Sequence, residues 1–267
     1  MSKGKILILG SSATQIEVHG GYGPTGQYLN ELVVPAMAFI DAGYEVVLAT
    51  PSGKQPHIDA PSDSPAHFGG DQQAYQKAKD FFANNPAMTN VRTIHSVAEE
   101  GVEGYAGVFA PGGQGPVVDL MQDPDVGRIL PHFHSTGKPS GFLCHGPITI
   151  AAAMPKAKEF RAAMVAGDKQ KAAELAKGWP YAGYHMTVFS ATEEKVIEDQ
   201  ILHDKLFFNM PDALTIAGAT VTTTPVDFDP YVVVDRELIT GQNPRSDHQI
   251  AAKLIEALDR KAGTRAA

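Results

Sequence analysis

The only cysteine of the chain, Cys144, follows a short apolar run at residues 139–143 and precedes His145-Gly146-Pro147. The run predicts a buried strand and the pattern from Ile148 onwards predicts a helix, so Cys144 would lie in the turn between them. A helix N-terminus favours the thiolate, which is the reactive form of cysteine. A lone cysteine can also be a buried structural residue. The adjacent His145 and the strand-end position favour a nucleophile.

A glycine-rich segment, Pro111-Gly-Gly-Gln-Gly115, follows a second predicted strand at residues 105–110. Glycines let the backbone approach a substrate closely and leave amide groups uncovered. Ligands of an open α/β sheet bind beyond the carboxyl ends of its strands, where Cys144 is also expected. We therefore predict that the amide of Gly112 or Gly113 donates to an oxyanion formed at Cys144. A tight turn without this role is the alternative.

Glu31 lies in the first predicted helix, at residues 28–40, among the apolar neighbours Leu32, Val33 and Pro35. If this face of the helix packs on the sheet, the carboxyl group is buried and its pKa is raised. A partly protonated carboxyl group beside a thiolate could carry a proton during catalysis. If the face is solvated instead, Glu31 is an ordinary surface residue, and the spacing alone is compatible with both.

Strands and helices alternate along the rest of the chain, as is needed to bring strand ends together. Apolar runs predict strands at 5–10, 45–50, 105–110, 139–143 and 186–190, and a hairpin of 232–234 with 238–240. Helical spacing predicts helices at 28–40, 71–84, 117–136 (with a break at Asp123-Pro124), 193–202 and 249–258, and loops at 11–24 and 52–70. The alternation predicts an α/β fold with a doubly wound, mostly parallel sheet and helices on both faces.

The composition excludes several classes of protein. A hydrophobic fraction of 43% in 267 residues is enough for a packed core without disulfides, and we expect one domain over residues 1–267. The Ala- and Lys-rich residues 155–178 predict a helical insertion at the surface, serving as a lid or a dimer element. A net charge of −8 without basic runs argues against a nucleic-acid partner. No apolar run is long enough for a membrane span, and residues 1–5 show no signal-peptide pattern, so a cytoplasmic location is expected.

Neither a nicotinamide cofactor nor a metal is predicted. Gly21-Tyr-Gly-Pro-Thr-Gly26 matches a dinucleotide-binding pattern, but it begins well after the first strand has ended. The second strand also lacks the acidic residue that would bind a ribose. His132 and His134 are two positions apart, which places them on different faces of a helix and disfavours a shared metal ion.

The segments around residues 110–115 and 142–147 resemble the oxyanion and nucleophile segments of the class I glutamine-amidotransferase-like superfamily, in its PfpI-type branch. Thr25-Gly-Gln-Tyr-Leu-Asn-Glu-Leu32 with Pro35, and residues 238–244 with Ser246, resemble the heat-shock chaperone/glyoxalase III subgroup. The resemblance runs from about Lys5 to Leu258. It implies the flavodoxin-like sandwich fold of that superfamily and, as the default for such folds, a homodimer.

The resemblance also implies a role for each matching residue. Cys144 would be the nucleophile, His145 the next member of its triad, and Glu31 the acid or base that contacts the thiol. The acidic member of the triad would be Glu194, with Glu193 as the alternative because the register of that loop is open. The metal-binding histidines of some chaperone members have no counterpart after Pro35.

The implied activity is a cofactor-free conversion of methylglyoxal or glyoxal, small aldehyde substrates, to a 2-hydroxy acid. One alternative is a stress chaperone of the holdase type in which Cys144 senses oxidants. Another is a hydrolase or amidase that acts on an unidentified carbonyl compound with the same cysteine. Residues 155–178 are longer than the family pattern, so their role is open.

Overall fold

Short strands alternate with helices in this computed structural model, which describes residues 2–266 and the side chains up to residue 263. The strands are β1 (Lys5–Leu9), β2 (Gln15–Val18), β3 (Gly21–Pro24), β4 (Glu45–Thr50), β5 (Arg92–Thr93), β6 (Tyr105–Ala110), β7 (Ser140–Leu143), β8 (His185–Met186), β9 (Thr220–Val221), β10 (Val232–Asp235) and β11 (Leu238–Gly241). The α-helices are α1 (Leu29–Asp41), α2 (Gln72–Asn84), α3 (Pro86–Thr89), α4 (Ile94–Glu100), α5 (Gly115–Val118), α6 (Pro124–Ser135), α7 (Ala157–Val165), α8 (Lys169–Leu175), α9 (Ala191–Ile197), α10 (Met210–Ile216) and α11 (Asp247–Ala266).

Within the described residues, seven strands form the main sheet in the order β10-β11-β7-β6-β1-β4-β5. Every neighbouring pair is parallel except β10 and β11, which form the predicted antiparallel hairpin. The order runs outwards from β1 in both directions, which is the doubly wound α/β arrangement expected from the sequence. The carboxyl ends of β1, β6 and β7 therefore meet at one edge of the sheet.

Helices cover both faces of this sheet, and β1 shows why. Ile6 and Ile8 pack with α1 and α11, whereas Leu7 and Leu9 pack on the opposite side with residues that include those of α6. All four side chains are fully buried. Successive side chains of a strand point to opposite faces, so a strand covered on both sides must be apolar throughout. No helix of the described residues is long and apolar enough to cross a membrane.

The loop predicted at residues 11–24 is wrong, because β2 and β3 form an antiparallel hairpin there. Ile16 and Val18 are buried while Gln15 is exposed, which is the alternation typical of a half-buried strand. Gly21 and Gly23 lie on the extended strand β3. The dinucleotide-like glycines thus do not form a phosphate-binding turn between a strand and a helix.

The strand predicted at residues 186–190 is wrong beyond its first residue. Strand β8 ends at Met186 and pairs with β9, outside the main sheet. The amide of Thr187 instead donates to the hydroxyl of Thr240 at 2.9 Å. The helix predicted at 193–202 begins earlier, since Ser190 and Glu193 form a capping box, and it continues into a π-helical turn at Glu198–Leu202.

Residues 155–178 contain α7 and α8, as the helical insertion predicts. They are not only at the surface, because Phe160 and Met164 are buried in the core. None of these residues lines the cavity that contains Cys144, so the lid interpretation is wrong for this cavity. The single domain over residues 1–267 stays a prediction, and its two end residues lie outside the described part.

Candidate active site

Cys144 lies in the turn between β7 and the 3₁₀ helix Gly146–Ala153, at the carboxyl edge of the sheet. Its φ of 61° is in the left-handed region, which is costly for a residue with a Cβ. Two backbone hydrogen bonds hold it there: its amide donates to the Gly241 carbonyl at 2.8 Å, and its carbonyl accepts from the Phe189 amide at 2.9 Å. The strained turn directs the thiol beyond the strand end, as in the strand-to-helix elbows of hydrolases.

The thiol of Cys144 faces the imidazole of His145, and Glu194 lies on the other side of that ring. Sγ is 3.3 Å from Nδ1 of His145, and Nε2 is 2.6 Å from Oε2 of Glu194. Oε1 of Glu194 accepts a 2.6 Å hydrogen bond from the side-chain amide of Gln114. Because both carboxylate oxygens accept, the ring carries its proton on Nε2 and presents an unprotonated Nδ1 to the thiol.

Glu193, the alternative that the sequence leaves open, points away from His145. Its Oε2 accepts from the amide of Ser190 at 2.9 Å, as part of the cap of α9. Its Oε1 accepts from the Phe228 amide at 2.7 Å and the Asn243 side chain at 2.9 Å. The structure thus brings Glu194 to the imidazole and occupies Glu193 with structural contacts.

Glu31 is fully buried on α1, as the interpretation based on its apolar neighbours requires. Its Oε2 accepts a 2.7 Å hydrogen bond from the Gly112 amide, whereas its buried Oε1 has no hydrogen-bond partner among the described residues. A Cβ on Gly112 would lie 2.6 Å from both Glu31 Oε2 and Cys144 Cβ. Only glycine at this position lets the carboxyl group and the thiol approach each other.

The pKa of each of these two groups is raised. Burial raises the pKa of Glu31 well above its usual range. Burial also raises the pKa of the Cys144 thiol, and the negative charge of Glu31 raises it further. This corrects the expectation that a helix N-terminus makes the thiolate favourable, since the segment after Cys144 is a 3₁₀ helix in a buried site. Because Glu31 retains its proton more readily than an exposed carboxyl group does, it is suited to hold a proton beside the thiol.

The two glycine amides predicted as oxyanion donors have different hydrogen-bond partners in the structure. The Gly112 amide already donates to Glu31. The Gly113 amide is directed at Cys144, where it lowers the pKa of the thiol. Gly113 has a φ of 79°, a conformation that favours glycine. Gly113 is therefore the amide available to a negatively charged oxygen formed next to Cys144.

A cavity of about 1060 Å³ contains the thiol in its wall. The ring of Phe189 packs against that of His145, with centroids 4.6 Å apart. Near the thiol the wall is formed by residues of five segments, namely Tyr28, Asp59, Gly113, Gln114, His145 and Phe189. The cavity continues between α1, α2 and α11 along mainly apolar side chains, including Val34, Met37, Ala78, Ala251 and Ile255.

Asp59 adds a further carboxyl group to this cavity. Burial raises its pKa to about 6, while electrostatic interactions with His57 and His145 act in the opposite direction. Asp59 has no distinguishing signal in the sequence, because its segment, residues 52–70, is typical of a polar loop. Gln114 was also missed, although it is the first polar side chain after the end of β6 and could have been found by that position.

His132 and His134 contact different partners in the structure. Nε2 of His132 is 3.1 Å from the ammonium group of Lys138, and Nδ1 of His134 is 2.9 Å from Glu237. No group of three or more His, Cys, Asp or Glu side chains in the described part of the chain is arranged to hold a metal ion.

Comparisons with known proteins agree with the fold. "Glutathione-independent glyoxalase HSP31" of Saccharomyces cerevisiae is 25% identical over 269 residues, covering 97% of this chain and 99% of that protein. "Protein/nucleic acid deglycase HchA" of Staphylococcus aureus is 25% identical over 262 residues, covering 96% and 80%. The crystal structure of glyoxalase III from Candida albicans shares the fold, with a TM-score of 0.70 at 21% identity over 96% of this chain and 97% of that one.

The model of a protein family, described as ThiJ/PfpI family-like, matches residues 23–192. The matched segment includes Glu31, the glycines after β6, Cys144 and the start of α9. It covers more than half of the chain, and the protein therefore belongs to the ThiJ/PfpI-like family.

Proposed function

We propose that this protein is a glutathione-independent glyoxalase, which converts methylglyoxal or glyoxal to a 2-hydroxy acid without a cofactor. The observation that carries the proposal is the thiol of Cys144, which faces a cavity between the His145–Glu194 pair and the buried carboxyl group of Glu31. Relatives over almost the whole chain are named glyoxalases or a deglycase, which supports the same chemistry.

The first step is addition of the thiol to the aldehyde. His145 Nδ1 accepts the proton of Cys144, and Sγ forms a bond to the aldehyde carbon. The carbonyl electrons move to the aldehyde oxygen, which accepts a hydrogen bond from the Gly113 amide and then a proton. The product is a hemithioacetal. Glu194 keeps the imidazole oriented through this transfer.

The second step moves a hydrogen from the first carbon to the second. A base removes the proton from the carbon bonded to sulfur, and the electrons shift to give an enediol. Glu31 suits this role because its Oε1 has no hydrogen-bond partner among the described residues and its raised pKa lets it hold a transferred proton more readily than an exposed carboxyl group does. Return of the proton to the neighbouring carbon leaves a thioester of the 2-hydroxy acid.

The third step is hydrolysis of the thioester. Water adds to the thioester carbon, the bond to Sγ breaks, and the acid leaves while Cys144 regains its proton. The sum is one 2-oxoaldehyde and one water converted to one 2-hydroxy acid, so no oxidant or reductant is consumed.

The test is the formation of lactate from methylglyoxal in the absence of glutathione. We expect turnover by the wild-type protein, and at least about a 100-fold loss in Cys144→Ala and Glu31→Gln. Glu99→Gln serves as the matched control, because Glu99 is an exposed carboxylate on α4 paired with Arg128. An inactive wild-type protein, or an active Cys144→Ala variant, would contradict the proposal.

A hydrolase or amidase for a bulkier carbonyl compound is the second candidate. The observation that favours it is the extension of the cavity between α1, α2 and α11, which exceeds what methylglyoxal needs. A series of p-nitrophenyl esters with acyl chains of increasing length distinguishes the two. Hydrolysis that rises with chain length and is lost in Cys144→Ala, without lactate formation, would favour the hydrolase.

A holdase chaperone and a homodimer stay predictions. The large apolar side chains exposed in the described residues are dispersed over the chain: Tyr22, Phe207, Val226 and Val234. Suppression of client aggregation by Cys144→Ala, together with no aldehyde chemistry in the wild type, would support the chaperone. Light scattering measures the oligomeric state directly.

A further inference from the structure

The side chain of Gln27 is fully buried and contacts the loop after β6. Its Nε2 donates to the carbonyl oxygens of Pro111, at 2.9 Å, and of Gly112. Its Oε1 accepts from the Ser11 amide at 2.7 Å. Because these partners are two carbonyl groups and one amide, only one orientation of the Gln27 side chain satisfies all three.

The backbone of Gln27 is fixed as well. Its amide donates to the carbonyl of His57 at 2.8 Å, and its carbonyl accepts from the Asp59 amide at 2.9 Å. A Cβ on the preceding Gly26 would lie 2.5 Å from the His57 carbonyl oxygen, so glycine is needed for this approach. The Gln27 side chain therefore extends from an anchored backbone position.

The Gly112 carbonyl has two donors on the same side. Besides Gln27 Nε2, the amide of Tyr28 donates to it at 3.3 Å. The peptide that joins Gly112 and Gly113 is trans, so its C=O and N–H groups point in opposite directions. Fixing the carbonyl oxygen towards α1 thus directs the Gly113 N–H the other way, towards Cys144.

This peptide has little intrinsic resistance to rotation. Both of its residues are glycines, which adopt positive and negative φ about equally readily. A rotation of the peptide would turn the Gly113 N–H away from the thiol and bring the Gly112 carbonyl oxygen towards it. The hydrogen bonds donated to the Gly112 oxygen stabilise the observed orientation of the peptide over the rotated one.

We propose that Gln27 is a positioning residue, which holds the Gly112–Gly113 peptide so that the Gly113 N–H is directed at the reacting atoms beside Cys144. The consequence for turnover rests on the proposed glyoxalase function. The expected effect on the reactivity of the thiol does not rest on that function, because the same N–H stabilises the thiolate whether or not an aldehyde is bound.

The test compares Gln27→Glu and Gln27→Met with the wild type. Gln27→Glu replaces the donor by an oxygen that repels the Gly112 carbonyl, and Gln27→Met removes the donor at similar volume. Since Cys144 is the only thiol, the pH dependence of its alkylation by iodoacetamide gives its pKa. We expect that pKa to rise by about one unit or more, and kcat for methylglyoxal to fall about 10- to 100-fold with little change in KM.

Gln242→Met is the matched control, because Gln242 is an equally buried glutamine that contacts Thr187 and Thr224 instead. It should change thermal stability without changing the thiol pKa. The inference is overturned if a folded Gln27→Met variant keeps the wild-type thiol pKa and kcat. This outcome is decisive even if Gln27→Glu does not fold. If the wild type forms no lactate, the proposed function fails while the alkylation result still decides the role of Gln27.

Discussion

The side-chain amide of Gln114 donates a 2.6 Å hydrogen bond to Oε1 of Glu194. The other carboxylate oxygen faces His145, so the orientation of the carboxylate, and through it that of the ring, depends on Gln114. Gln114 lies directly after the two glycines of the loop that follows β6. For the proposed reaction, the loop would thus supply both a backbone donor for the substrate and a side chain that orients His145 through Glu194.

Gln114→Met should lower kcat about tenfold, because Glu194 loses one of its two partners and the imidazole is held less firmly. The variant should also show an altered pH dependence of kcat, which a purely structural change would not produce. Measurement of kcat from pH 5 to 9 checks this. An unchanged profile with normal kcat would show that Glu194 is oriented without Gln114.

The adjacent glutamates of α9 should respond oppositely to the same substitution. Glu194→Gln should lower kcat about 100-fold or more with little effect on stability, since the imidazole loses its carboxylate. Glu193→Gln should lower the free energy of unfolding by about 1–2 kcal/mol, because it weakens a cap and a buried hydrogen bond, while kcat stays within a few-fold. Chemical denaturation and lactate formation, measured on both variants, separate the two roles. The reverse pattern would place the triad acid on Glu193.

Glu31→Gln should lower the pKa of Cys144, because the negative charge that raises it is removed. Alkylation of the thiol at neutral pH should therefore become faster, although lactate formation falls by at least about 100-fold. The opposite signs of the two effects identify Glu31 as a proton carrier and not only as part of the packing. Slower alkylation in the variant would contradict this role.

Asp59 should make stability depend on pH in a defined direction. Its pKa in the folded protein is about 6, above the ordinary value of 3.8, so the folded state holds this proton more tightly than the unfolded state. The free energy of unfolding therefore falls as the pH rises from about 4 to about 6, and this loss of stability persists above that range. Asp59→Asn removes the cost and should be more stable than the wild type at pH 8 by up to about 3 kcal/mol, but not at pH 4. Chemical denaturation of the wild type and the variant at pH 4 and pH 8 checks this prediction. An equal difference in unfolding free energy at the two pH values would contradict it.

The parts of the site that the sequence predicted depend on local signals. Cys144 and the glycine loop follow from a strand end and a run of glycines, whereas the burial of Glu31 was one of two possibilities that its apolar neighbours left open. Gln27 and Asp59 were missed because their partners are more than 30 residues away, at Gly112 and at His145. No spacing rule within one segment reports such a contact.

The prediction of the fold succeeded where apolar runs were long and failed where the strands or helices were short. Four of the five predicted strands and the hairpin form the main sheet, together with β5, which was missed because it has two residues and no periodicity of its own. Helices α4 and α10, of seven residues each, were also missed. The hairpin of β2 and β3 was hidden by its glycines, which are frequent in loops.

Strand β5 also has a consequence for the behaviour of the protein at high concentration. The sheet ends with a strand of two residues on one side and, on the other, with the four residues of β10 followed by Arg236. A long, flat edge strand is a template on which another chain can add a strand and begin to aggregate. Both edges here offer only a few backbone hydrogen-bonding groups, so growth of the sheet from one molecule into the next is disfavoured.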